Sequence, residues 1–130
     1  MDLICLDTNI LIAHKRAKKA EKNATVLYYL AAQSYRLAIA TITAYELLRG
    51  DNQDEDQYWQ ALFKNMQILV FDYACAEKAA KIYKVLKEQG QLIEAEDLLI
   101  AATALRYQIP LATSNLKHFE RISDLILVKF

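Results

Sequence analysis

Short apolar runs recur along the chain, separated by longer stretches whose apolar residues return at helical spacing. Leu3 to Leu6, Leu37 to Ala40, Ile68 to Phe71 and Pro110 to Thr113 have the length and continuity of strands buried on both faces, and Leu125 to Phe130 reads as a final strand. Asn23 to Tyr35 carries Val26, Leu27, Leu30 and Ala31 on one helical stripe. Thr43 to Arg49 makes a short helix capped by Thr41 or Thr43, with Gly50 as its stop. Asp54 to Asn65 opens with acids that suit the positive end of a helix dipole, and buries Trp59, Leu62 and Phe63. Ala74 to Gln89 repeats Ala76, Ala79, Ala80, Tyr83 and Leu86 before Gly90, and Glu94 to Tyr107 is a second clear helix. Strands alternating with helices predict an α/β fold, a three-layer α/β/α sandwich around a short, mostly parallel central sheet of about five strands. Ligands in such sheets bind beyond the carboxyl ends of the strands.

Composition narrows the class. The length of 130 residues is that of one domain, expected over 1–130, and 55% hydrophobic content supports a real core. Lysine plus arginine equals aspartate plus glutamate at 16 each, which argues against a protein that coats nucleic acid through bulk positive charge. A local basic groove is compatible with that balance. Cys5 and Cys75 are too few for a disulfide framework and read as reduced thiols in or near the core. The opening residues lack a secretory leader pattern, and no run approaches the roughly 20 apolar residues of a spanning helix, so the expected compartment is the cytoplasm.

Three acids stand where the chain crosses one edge of the predicted sheet. Asp7 directly follows the first strand, Glu46 lies one turn into the helix after the second, and Asp97 precedes the apolar run Leu98 to Ala102. Each has a plain structural use: Asp7 as an N-cap, Glu46 as the partner of Thr43 in a capping box, Asp97 as a first-turn acid. Together they are harder to dismiss, because clustered carboxylates repel unless a cation neutralises them. Hard oxygen ligands around an open cleft suit Mg²⁺ or Mn²⁺.

Leu6-Asp7-Thr8-Asn9, the segment Thr43-Ala-Tyr-Glu-Leu-Leu-Arg-Gly50, Asp97-Leu-Leu-Ile-Ala-Ala, and Thr113-Ser-Asn115 followed by His118-Phe119 resemble the PIN-domain family. Their order and spacing are most similar to its VapC-type toxin branch, and the resemblance spans essentially the whole chain. It implies that Asp7, Glu46 and Asp97 form an acidic metal site, that the fourth position falls on Asn115, and that Thr8, Asn9 and Thr113 support them. Asn115 brings no charge where the family often has Asp, and it also serves as an N-cap before Leu116 to Phe119. The implied activity is hydrolysis of RNA by a metal-activated water, leaving 5′-phosphate and 3′-hydroxyl ends, with Mg²⁺ or Mn²⁺ as cofactor and Glu46 as a proton acceptor or a plain ligand. The implied partners are an RNA substrate, a second copy in a homodimer, and a cognate antitoxin whose tail enters the acidic cleft.

Surface features are less specific. Lys15, Arg16, Lys18 and Lys19 form the densest basic patch and are candidate RNA contacts, or else a solvated helix and loop. Lys78, Lys81, Lys84 and Lys87 read as an ordinary wet face. Asp51, Asp54, Glu55 and Asp56 read as helix-start acids or a patch for a basic partner. Tyr28, Leu30, Tyr58 and Trp59 mark a candidate antitoxin groove, while His14 and His118 read as surface or structural residues. Two rivals remain. A phosphatase-like hydrolase with Asp7 as nucleophile lacks the second acid, because Asn9 stands there. A PIN-like module that binds RNA or protein without cutting has no evident reason to keep three acids in one cleft.

Overall fold

In the computed structural model, which describes residues 2–50 and 52–130, the strands send alternate side chains to opposite faces of one sheet. Ile4 and Leu6 of β1 (Leu3–Leu6), Ile39 of β2 (Arg36–Ala40) and Ala112 of β4 (Leu111–Ala112) enter one apolar layer. Cys5, Ala38, Ala40 and Leu111, from the same strands, enter the other. Both layers are dry, which is why these segments read as unbroken apolar runs. With β3 (Gln67–Leu69), the strands lie in the order β3-β2-β1-β4, all parallel. β1 therefore sits between β2 and β4, with Cys5 opposite both Ala38 and Leu111.

Helices cover both faces. The Ile4 side packs against α1 (Thr8–Arg16), α2 (Val26–Ala32), α3 (Thr41–Leu48) and α4 (Gln53–Phe63), through Leu11, Leu30, Leu47 and Trp59. The Cys5 side packs against α5 (Tyr73–Glu88), α6 (Ala95–Arg106) and α7 (Leu116–Phe119), through Leu86, Ile100 and Phe119. This is the expected three-layer α/β/α arrangement. Gly90 closes α5 at φ 67°, a left-handed position that costs glycine nothing, and the Gln91 N–H returns to the Leu86 carbonyl at 2.8 Å.

Several expectations need correction. The sheet has four strands rather than about five. The chain end meets β4 only through a parallel bridge from Leu127 to Leu111, because β4 is too short to pair a longer strand. The helix expected from Asn23 starts at Val26: residues Lys19–Ala24 wind as a tighter 3₁₀ turn, and Thr25 caps α2 by accepting from the Tyr28 N–H. Neither Thr41 nor Thr43 caps α3. Thr41 accepts from the Phe71 N–H at 3.3 Å, and Thr43 is fully buried beside Thr8. Asn52 caps α4, whose first turn holds Asp54, Glu55 and Asp56; Asp51 lies outside the described residues. Among the described residues no helix is long and apolar enough to cross a membrane. Cys5 and Cys75 are both free and buried.

Candidate active site: an acidic cleft at the strand ends

Beyond the carboxyl ends of β1, β2 and β4 opens a polar cleft of about 320 Å³. Its walls include Asp7, Glu46 and Asp97, the acids singled out in the sequence, together with Asn9 and Asn115. Asp7 follows β1 immediately, Glu46 comes from α3, Asp97 from the first turn of α6, and Asn115 from the turn after β4. Residues up to 108 positions apart are thus held on one cleft because three parallel strands end together.

Asp7 is the anchor. It is 2% exposed, and both carboxylate oxygens are occupied: Oδ1 accepts from the Thr8 N–H at 2.8 Å and Oδ2 from the Thr113 hydroxyl at 2.7 Å. Its use as the N-cap of α1 and its place in the cleft are one arrangement. Burial pushes its carboxyl up to about 6; the Thr113 bond opposes this, and the charges of Asp97 and Glu46 add to it. A cation in the cleft would oppose that shift by favouring the ionised carboxylate. Thr113 in turn accepts from the Asn115 N–H at 3.0 Å, so Asp7, Thr113 and Asn115 form one hydrogen-bonded chain.

Glu46 is not the capping partner of Thr43. Its Oε1 accepts from the Thr8 hydroxyl at 2.7 Å, while that hydroxyl lies 3.0 Å from the Thr43 hydroxyl. A hydroxyl has one proton, and the carboxylate is the stronger acceptor for it. Thr8 therefore steers Glu46, and buried Thr43 backs Thr8.

Asn115 makes no side-chain cap to α7. Its Nδ2 lies 2.9 Å from His118 Nδ1, which is also 3.3 Å from Asp97 Oδ2. His118, expected to be a surface or structural residue, lines the cleft with its Nδ1 between two candidate site residues, bonding to one or the other according to its tautomer. The signal was available: Asn115 stands directly before α7 and His118 three residues on, a spacing that puts the two on one side of the helix start. Glu94, Glu96 and Arg49 also line the cleft and were not singled out.

The donor set fits a hard divalent cation. Five carboxylates line one small cavity with amide and hydroxyl oxygens beside them. Among the described residues, no group of three or more acidic, histidine or cysteine side chains stands close enough to hold a metal ion by itself, so waters would have to complete the shell of any bound ion. An open acidic cleft of this kind suits Mg²⁺ or Mn²⁺, which keep part of their water shell.

The other candidates are dispersed. Lys15 pairs with Glu55 at 3.1 Å and lies over the Tyr58 ring, while Arg16, Lys18 and Lys19 are exposed. Leu30 is fully buried and Trp59 is 3% exposed, so both belong to the core rather than to an open docking groove. Trp59 reaches only the floor of a second depression beside Ile12, Arg16 and Glu46. Tyr28 stays exposed, and His14 contacts the Thr25 hydroxyl at 2.6 Å.

Comparison with known proteins identifies the family and the fold. The family model for the PIN domain matches residues 4–125. Ribonuclease VapC1 of Methanocaldococcus jannaschii is 34% identical over 93% of this chain and 82% of its own length. Ribonuclease VapC2 of Rickettsia felis is 30% identical over 94% of this chain and 93% of its own. Among solved structures, VapBC-1 of nontypeable Haemophilus influenzae superposes with TM-score 0.84 at 27% identity, covering 98% of this chain and 97% of that one. VapBC2 of Rickettsia felis, bound to a DNA fragment from its promoter, gives 0.80 at 28% identity over 98% of both chains. With the family model and these relatives matched along nearly its whole length, the chain belongs to the PIN-domain family.

Proposed function

We propose that this chain is a divalent-metal-dependent endoribonuclease, acting over residues 1–130 as one PIN unit and as the toxin of a toxin–antitoxin pair. The observation that carries the reading is the meeting of Asp7, Glu46 and Asp97 in one cleft at the strand ends. Relatives named as VapC ribonucleases support the activity, and structural neighbours that are VapBC complexes support a cognate antitoxin as partner. An Arg or Lys on the antitoxin would pair with the cleft acids. A homodimer belongs to the same reading.

Asp7, Asp97 and Glu46 would hold the ion, with the Asn115 amide oxygen beside them. When bound, the ion lowers the pKa of water and offsets the charge that builds on the phosphate. The remaining work falls to the chain itself. Thr8 N–H and Thr113 hold Asp7 in one orientation. Thr8 occupies Oε1 of Glu46, which leaves Oε2 to take a proton from the attacking water. If His118 Nδ1 accepts from Asn115 Nδ2, the amide oxygen of Asn115 is left for the cleft.

Incubating purified protein with total RNA in Mg²⁺, in Mn²⁺ and in chelator, beside Asp7→Asn, tests the proposal. A few discrete products with 5′-phosphate ends, absent in chelator and in the variant, are expected. A folded, antitoxin-free protein that cuts nothing under either metal would leave only a binding module.

A further inference from the structure

We infer that Arg49 is the residue that anchors a phosphate of the bound RNA strand, an assignment that rests on the ribonuclease reading of the cleft. Five carboxylates line the cleft, and a polyanion entering it meets their combined repulsion. Even with a divalent ion bound, the balance stays negative, so substrate affinity needs a cation at the wall. Among the described residues lining the cleft, Arg49 is the one guanidinium or ammonium.

Its surroundings tie it to Tyr45 rather than to a carboxylate, which leaves N–H donors for a phosphate. Arg106 is spent on Asp72 at 2.9 Å, Lys15 on Glu55 at 3.1 Å, and Lys22 on the carbonyls of His14 and Lys15. Arg49 forms no ion pair within salt-bridge distance of a described carboxylate. Its guanidinium instead lies over the Tyr45 ring, 5.4 Å from the centroid, and is held by a side-chain hydrogen bond to Tyr45 with the charges of Glu46 and Glu96 nearby. Tyr45 precedes Glu46 and is 59% exposed, and Arg49 follows Glu46 by three residues at the end of α3. Buried Thr43 and Leu47 fix the register of that helix. The ring holds the fork in place, so less side-chain freedom is lost when it grips a phosphate through paired N–H donors. One short helix thus carries both a candidate metal ligand and the group that draws the strand to it.

Two measurements test this on the full chain. The first is kcat and KM for metal-dependent cleavage of the RNA target mapped in total RNA. The second is the salt dependence of binding to a short fluorescein-labelled oligoribonucleotide of mixed sequence in chelator, read by anisotropy. Arg49→Ala should raise KM about tenfold, with kcat held within about threefold. It should also flatten the slope of log affinity against log salt by about 0.7, the contribution of one phosphate contact on a single strand. Arg49→Lys should keep the slope and recover part of the KM. Lys84→Ala, which removes the same charge from the solvated side of α5, should match wild type. Arg49→Ala indistinguishable from Lys84→Ala overturns the assignment, as does a loss confined to kcat or undetectable oligonucleotide binding by wild type. Arg49-dependent binding by a wild-type protein that cuts no RNA would keep Arg49 and sink the nuclease.

Discussion

The Thr113 hydroxyl donates to Asp7 Oδ2 at 2.7 Å, joining residues 106 apart in sequence. The contact exists because β1 and β4 are sheet neighbours, with Leu6 opposite Ala112 and the Asp7 N–H on the Ala112 carbonyl at 2.9 Å. It places the buried carboxylate at the wall of the acidic cleft, at a cost to the fold.

That cost can be measured. The Asp7 carboxyl is raised from the ordinary 3.8 to about 6. Ionised Asp7 therefore destabilises the metal-free protein by up to about 3 kcal/mol above the raised value. The penalty is absent below about pH 4 and complete above about pH 7. Asp7→Asn should melt higher than wild type in chelator at pH 7 to 8, with the advantage gone near pH 4. Wild type should gain Tm on adding Mn²⁺ while the variant does not. Equal melting in chelator at neutral pH would show that Asp7 carries no strain.

His118 touches both Asp97 and Asn115, so its removal should loosen two walls of the cleft together. Groups behind metal ligands are typically worth about ten- to hundredfold in affinity or activity. His118→Ala is expected to weaken Mn²⁺ binding by calorimetry within that range while leaving the circular dichroism spectrum unchanged. Unaltered metal affinity would reduce His118 to a surface residue.

Thr8→Val keeps shape and removes the hydroxyl that steers Glu46. Cleavage should slow about tenfold in kcat, in line with the loss of one orienting contact behind a reacting group. Thr43 loses a buried partner, so a stability loss of about 1 kcal/mol in denaturant titration should accompany it. A fully active Thr8→Val would remove Glu46 from proton transfer.

The strands β1, β2 and β4 were legible because both of their faces are largely covered, and doubly covered strands betray themselves as apolar runs, whereas the edge strand β3 leaves Ile68 exposed. Asp7 was legible for the same reason, as the acid that ends such a run. The chain end misled because Leu125 to Phe130 is apolar enough for a strand, yet Ile126 is 68% exposed and β4 offers only Leu111 as partner. Thr8, Asn115 and His118 sit beside the acids in sequence or helical phase, but their mutual bonds depend on how α1, α3 and α7 meet. Local pattern does not encode that meeting.

A separate clasp ties α5 to α6. Asp72 accepts from the Cys75 N–H at 3.0 Å as the cap of α5, and Arg106 grips the same carboxylate while lying 4.7 Å from the Tyr107 ring centre. Arg106, and after it the Cys75 N–H, hold the Asp72 carboxyl down to about 2. The clasp is intact above about pH 4 and is lost as pH falls towards 2. Asp72→Ala and Arg106→Ala should each lower Tm at neutral pH, with the double variant falling short of their sum. In acid unfolding, Asp72→Ala should lose less stability than wild type between pH 4 and 2. Strict additivity would separate the two residues.

The central position of β1 also governs the order of events during synthesis. The strand that Asp7 follows is made about a hundred residues before its neighbour β4, and well before Asp97, Thr113 and Asn115. Long-range parallel pairing of this kind closes late. A nascent or prematurely ended chain that stops before Leu111 lacks the strand that completes the cleft, so truncated products cannot assemble the site.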